Sequence, residues 1–218
     1  MNKKRTKTAR KTAKPAPKKR VKRDKSPKEG VYLNLQYESF CELSCIYFAE
    51  ELIRRGYVQK IERCSTYLLC DSVSGTYSEQ LKRGSKTVNQ TISQGVSYTP
   101  DFDIYFTSKA LSVFCWELGS NVKWDKNLLV VQKIGNLYRA TCEVKPDFSR
   151  NSTTPKSVQS MKWLYQSNNV FTNLFRPNRI FEGLFVPDKY RLTERGTQRL
   201  LKFKTRTLQE YLTFKNIK

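Results

Sequence analysis

Glu42, the pair Pro100-Asp101 and the triplet Glu143-Val144-Lys145 are the residues whose types and order could do chemistry. The chain contains no histidine, so the usual general base is missing. Any hydrolysis must then run on carboxylates, lysine or a metal ion. In an extended strand, period-two alternation puts Glu143 and Lys145 on one face and Val144 on the other. Paired strands lie about 4.8 Å apart, so if those bearing Asp101 and Glu143 are neighbours the two carboxylates can share one cation. Mg2+ takes a few carboxylate oxygens together with water and phosphate, and the Val144 carbonyl could supply another oxygen. Lys145 would orient or help deprotonate an attacking water, and would offset charge developing on a phosphate. A Pro-Asp pair or a Glu-x-Lys triplet alone marks only a turn or a solvated strand edge. The information lies in the set and its order.

These residues need elements to hold them. Glu38–Gly56 reads as a helix, with Cys41, Cys45, Phe48 and Leu52 on one stripe and Ile46, Ala49 and Ile53 beside it. Arg54, Arg55 and Gly56 end it. Glu42 falls near its N-terminus, where the helix dipole favours a carboxylate and where burial without a cation would be costly. Residues 57–71 suit a strand or strand pair, and the Ser-, Thr-, Gly-, Gln- and Lys-rich stretch 72–97 reads mostly as loop. Ser97–Phe106 alternates as a strand, Phe102, Ile104 and Phe106 facing one way and Asp101, Asp103 and Tyr105 the other. Residues 107–135 carry apolar runs that fit further strands or a short insertion. Asn136–Lys145 is a strand, Ser157–Gln166 a helix, and Thr207–Phe214 a helix opened by a Thr207/Glu210 capping box. The order gives one α/β domain with a mixed central sheet flanked by helices, over residues 31–218.

The segments Tyr37-Glu38-Ser39-Phe40-Cys41-Glu42, Tyr47-Phe48-Ala49-Glu50-Glu51-Leu52 and Gly56-Tyr57-Val58 resemble the first helix of phage Holliday-junction-resolvase-like nucleases and of TnsA-type transposase endonucleases. Tyr98-Thr99-Pro100-Asp101-Phe102 and Cys142-Glu143-Val144-Lys145-Pro146 resemble the two strand motifs of the same PD-(D/E)XK superfamily. The resemblance covers roughly residues 37–165. It implies a restriction-endonuclease-like core and Mg2+-dependent hydrolysis of DNA phosphodiester bonds, with Mn2+ as a substitute ion. Glu42, Asp101, Glu143 and the Val144 carbonyl would be the ligands and Lys145 the catalytic lysine. Some relatives place a Gln or Lys on the next helix, for which Lys156, Gln159 and Lys162 all qualify. The path from Asp101 to Glu143 is longer than a plain hairpin needs, which makes 107–135 an insertion in that scheme. Genome processing, head completion and branched-DNA resolution are the roles such a phage-type nuclease would fill. The alternatives are a DNA-binding structural or packaging protein on an inactive nuclease fold, and the nuclease subunit of a transposition complex.

The bulk charge points the same way. Forty-one Lys and Arg against 19 Asp and Glu leave a net charge of +22, which favours a polyanionic partner, nucleic acid foremost. Residues 1–30 carry more than half of that excess and almost no large apolar residue, so they read as a disordered basic tail suited to salt-sensitive phosphate contact. Within it, 17–23 also match a nuclear-import pattern. The basic extension 189–218 offers Arg191, Arg195, Arg199, Lys202, Lys204 and Arg206 as a phosphate-tracking face. The six cysteines include no C-x-x-C pair, which favours buried reduced thiols over a zinc site. No apolar run reaches the roughly 20 residues of a membrane span, and no secretory signal opens the chain. The expectation is an intracellular protein, in the host cytoplasm or associated with the virion if phage-encoded, with no membrane partner. A homodimer and phage or transposition proteins are the further partners it admits.

Overall fold

Phe102, Ile104 and Phe106 are completely buried on one face of a strand whose other face carries Asp103 and Tyr105, with Asp101 just before it, and the rest of the chain is arranged around that contrast. The computed structural model describes residues 29–146, 155–193 and 195–216. The expected tail lies outside these, except for Glu29 and Gly30.

In chain order, β1 (Gly30–Tyr32) and β2 (Leu35–Tyr37) form a tight hairpin. Its two turn residues, Leu33 and Asn34, both have positive φ, the geometry that matches strand twist. Helix α1 (Phe40–Arg54) follows. Ser39 caps it by accepting from the Glu42 N–H, and Gly56 leaves it at φ +73°. Strands β3 (Val58–Arg63) and β4 (Tyr67–Cys70) precede a long ribbon of β5 (Val73–Leu81) and β6 (Gly84–Ser93). Next come β7 (Val96–Tyr98) and β8 (Phe102–Phe106), then a 3-10 turn, β9 (Cys115–Glu117), β10 (Leu129–Ile134) and β11 (Leu137–Val144). The remaining elements are α2 (Pro155–Asn168), β12 (Thr172–Phe175), α3 (Pro177–Gly183), α4 (Asp188–Arg191) and α5 (Leu208–Phe214).

The main sheet runs β3-β8-β11-β10-β9, with β12 also on β11. It is mixed: β9–β10 and β11–β12 are parallel, the other pairs antiparallel. Strand β11 is the centre of the arrangement. One edge pairs with β8 over Tyr138–Cys142, while the other takes β10 on its first half and β12 on its second. Segment 107–135 thus supplies two strands of the sheet itself.

Alternation decides what packs where. The apolar face (Phe102, Ile104, Phe106, Ala140, Cys142, Val144) is covered by α1 and by the C-terminal segment. Phe48 of α1 stacks on Phe185 with centroids 5.2 Å apart and meets Phe175 at 5.7 Å, and Tyr211 of α5 donates to the Val113 carbonyl. The opposite face is polar and is reached by β4 and β7, with α2 behind them through Leu69, Leu164 and Val170. The chain is therefore α/β with helices flanking a mixed sheet, as the pattern of elements indicated. The capping box of α5 forms as read, Thr207 accepting from the Glu210 N–H and Glu210 from the Thr207 N–H.

Two expectations need correction. Residues 72–97 are not mostly loop, because β5 and β6 pair along their length. Neither ribbon face is buried in the core, so the burial-driven alternation that marks a strand is weak there. And 97–106 is not one strand. It breaks at Thr99-Pro100-Asp101, where β7 leaves its partner β4 and β8 joins the main sheet. Pro100 lacks an N–H to give to a ladder, which suits a change of sheet.

No helix among the described residues is long and apolar enough to cross a membrane. All six cysteines are free thiols. Cys45, Cys115 and Cys142 are buried, Cys41 and Cys64 half-buried, and Cys70 is exposed. Burial pushes the Cys45 and Cys142 thiols well above their ordinary range, so they act as small apolar side chains.

Candidate active site

The register of two strands brings the acids together. Cys142 sits opposite Phe102, so the next positions along, Asp101 and Glu143, are neighbours across the β8–β11 pairing. Asp101 donates its N–H to the Cys142 carbonyl at 3.0 Å, and its Oδ2 accepts from the Val144 N–H at 2.6 Å. These two bonds fix the aspartate against β11. Glu143 and Lys145 lie on the same face, as alternation requires, and form an ion pair at 2.5 Å, while Val144 turns into the core.

Glu42 arrives from the first turn of α1. The residue is only 8% exposed, and its carboxylate accepts from the Glu38 N–H and the Ser39 hydroxyl. Its charged partner is Arg63, at 2.7 Å, from the end of β3. Arg63 is also 3.9 Å from the Asp101 carboxylate, lies over the Phe102 ring, and donates Nε to the Gln36 carbonyl. It therefore ties the β1–β2 hairpin, α1 and the Asp101 turn together. Tyr98, at the end of β7, donates its hydroxyl to Glu143 at 2.8 Å. Neither Arg63 nor Tyr98 stands out in the sequence. Their roles come from pairings distant in the chain, although Tyr98 stands only two residues before Pro100.

The electrostatics follow from crowding acids in a poorly solvated place. Burial, then the adjacent Glu143 and the nearby Glu42, push the Asp101 carboxyl up to about 6, against the pull of the Val144 N–H and Lys145. Burial, then Glu143, likewise hold the Tyr98 hydroxyl well above its ordinary range, so it stays a donor. For Lys145, burial favours the neutral amine. The Glu143 ion pair, with Asp101 and Glu42 behind it, outweighs that, and the ammonium is held above its ordinary range. At neutral pH Lys145 is a cation.

Three carboxylates and a strand carbonyl form an oxygen donor set of the kind hard divalent ions take. Burial first, and then Glu143 and Glu42, raises Asp101, and it is the chemistry of the donor set, oxygen atoms throughout, that fits a hard cation in kind. As they stand, no three His, Cys, Asp or Glu side chains among the described residues converge on a metal position. Glu42 is turned to Arg63 and Glu143 to Lys145.

Further along the same sheet face, Asp103 is 4% exposed and accepts from the Thr141 hydroxyl at 2.5 Å. Arg139 contacts the Tyr67 hydroxyl beside it. Lys156, Gln159 and Lys162 all lie on α2 with exposed side chains. The basic extension divides in two. Arg199 lies over the Phe40 ring at 4.3 Å and donates to the Leu192 carbonyl. Arg206 donates to the Glu182 and Gly183 carbonyls and lies over Phe214. These two brace the C-terminal segment. Arg191 is half-buried at the end of α4, and Arg195, Lys202 and Lys204 are exposed.

No family model, curated protein or solved structure matches this chain.

Proposed function

We propose that the chain is a metal-dependent DNA endonuclease with a PD-(D/E)XK-type core. The observation that carries this reading is the pairing of Asp101 with Glu143 across two adjacent strands, with Lys145 on the same face and Glu42 reaching in from α1. Mg2+, or Mn2+ in its place, would supply polarisation of a phosphate oxygen and activation of water when bound. Glu42, Asp101, Glu143 and the Val144 carbonyl are the residues that would hold it.

The chain's own groups do the rest. Release of Glu42 from Arg63, and of Glu143 from Lys145, would turn both carboxylates toward the ion while leaving two cations at the site. The freed Arg63 guanidinium suits a phosphate, which it can meet with two parallel donors. Lys145 would orient or help deprotonate the attacking water and offset charge on the phosphate. Tyr98 keeps Glu143 in place through its hydroxyl. DNA as substrate is favoured by the +22 charge and the exposed Arg195, Lys202 and Lys204.

Lys145 offers the test. Lys145→Ala is expected to lower the turnover of a labelled DNA duplex about a hundredfold, the scale for one preorganised electrostatic group. Duplex binding should persist. Lys145→Arg keeps the charge in a wider, always-protonated head and should recover part of the loss. Wild-type rates in both variants would show that the Lys145–Glu143 ion pair is only structural. A DNA-binding or packaging protein on an inactive core would bind duplex and cleave nothing under any of these conditions.

A further inference from the structure

The β5–β6 ribbon projects from the site's own framework and, among the described residues, packs against nothing that explains its length. It starts at β4 and returns into β7, whose Tyr98 bonds Glu143. Strands of 9 and 10 residues give it a reach of roughly 30 Å. Cross-strand partners share a face, so the register sorts its side chains. One face carries Ser74, Thr76, Ser78 and Gln80 opposite Thr91, Asn89, Thr87 and Ser85. Every one of these is an exposed hydroxyl or amide. The other face pairs Tyr77 with Val88 and lays Ile92 over Gly75, where an added Cβ would meet Ile92 Cδ1 at 3.1 Å. That stripe supports a ribbon which, as an isolated hairpin, would be marginal. Lys82, Arg83 and Lys86 stand at or beside the tip, with Glu79 opposite Lys86 as the only acid in either strand.

We propose that this ribbon is a DNA-reading arm that lies in the major groove of the duplex beside the cleavage site, hydroxyl and amide face toward the base edges and basic tip on the phosphates. The B-form major groove is wide enough for a two-stranded ribbon. Ser, Thr, Asn and Gln are side chains that hydrogen-bond base edges, and a short positive tip matches the negative backbone on either side of the groove. The arm gives duplex DNA as the substrate class and makes binding depend on groove shape near the cut. The choice of DNA rests on the nuclease reading.

The test uses the full chain with EDTA, so that it needs no cleavage. Binding to a short DNA duplex is followed by fluorescence anisotropy across a salt series. Lys82→Ala/Arg83→Ala is expected to weaken binding roughly tenfold at low salt and to flatten the log–log salt slope by about 2, near 0.9 for each lost phosphate contact. Thr87→Asp and Asn89→Asp, on the hydroxyl face, should weaken duplex binding strongly. Gln90→Glu, on the opposite face, should do so much less. With an RNA duplex of the same sequence the tip and face effects should largely vanish, because the A-form major groove is too narrow for side chains to read. Equal losses from both faces, equal losses on RNA, or an unchanged salt slope would each overturn the proposal. So would loss of self-association in sedimentation with duplex affinity unchanged, which would make the ribbon a contact between copies of the chain. If no variant or wild type cleaves but the tip and face effects appear, the arm stands and the nuclease reading falls.

Discussion

At the scale of residues, Asp101 has its carboxyl raised first by burial and then by Glu143 and Glu42 beside it. This has a consequence independent of catalysis. Without metal, the folded chain holds the Asp101 proton up to about pH 6, whereas the unfolded chain releases it near the ordinary 3.8. The folded state therefore binds the proton more tightly. The contribution to stability is complete below about pH 4 and is lost as pH rises through about 6. Asp101→Asn removes the buried charge but keeps an oxygen for the Val144 N–H. In EDTA near neutral pH the variant is expected to be more stable than wild type by about 2–3 kcal/mol, since each tenfold difference in proton affinity between the folded and unfolded chain is worth roughly 1.4 kcal/mol. By about pH 4 the gap should close. Chemical denaturation at the two pH values reads this directly, and a variant with no pH-dependent advantage would show that Asp101 is ordinarily solvated.

At the scale of elements, the site is only as well positioned as α1, which holds Glu42 through a packed aromatic cluster. Phe48 is fully buried between Phe175, Phe181 and Phe185. Phe48→Ala should cost about 3–5 kcal/mol in a denaturation experiment, the range for a large buried aromatic. A loss below about 1 kcal/mol would mean that the helix is held by something else. The stripe that predicted α1 was legible because burial leaves a period in the sequence, and Cys45, Phe48 and Leu52 do line the core. Strands β8 and β11 were legible for the same reason, and with them the shared face of Asp101, Glu143 and Lys145. The β5–β6 ribbon was not, since its hydrogen bonds are satisfied within itself and neither face meets the core. The break at Pro100 hid behind an alternation that continues across it. Arg63 and Tyr98 are partners by register and by the change of sheet; nothing in its local sequence marks Arg63, and Tyr98 is marked only by standing two residues before Pro100. In the basic extension, charge alone did not separate Arg199 and Arg206, used as braces over aromatic rings, from the exposed Arg195, Lys202 and Lys204.

At the scale of the whole molecule, a chain of net charge +22 gathers Glu42, Asp101 and Glu143 at one corner of its sheet. On the proposed reading, a bound metal ion together with Arg63 and Lys145 would stand between those acids and a polyanion drawn by the overall field. The most direct measurement of that claim is cleavage of a labelled DNA panel (linear, nicked, flapped and four-way) by wild type, Asp101→Asn and Glu143→Gln, each with Mg2+ and with EDTA, beside binding measured on the same DNAs. The account predicts cleavage by wild type with Mg2+ alone, and loss of cleavage in both variants with binding largely kept, because each change removes a charged ligand and little contact surface. Cleavage by either variant at the wild-type rate, or by wild type equally in EDTA, would contradict it.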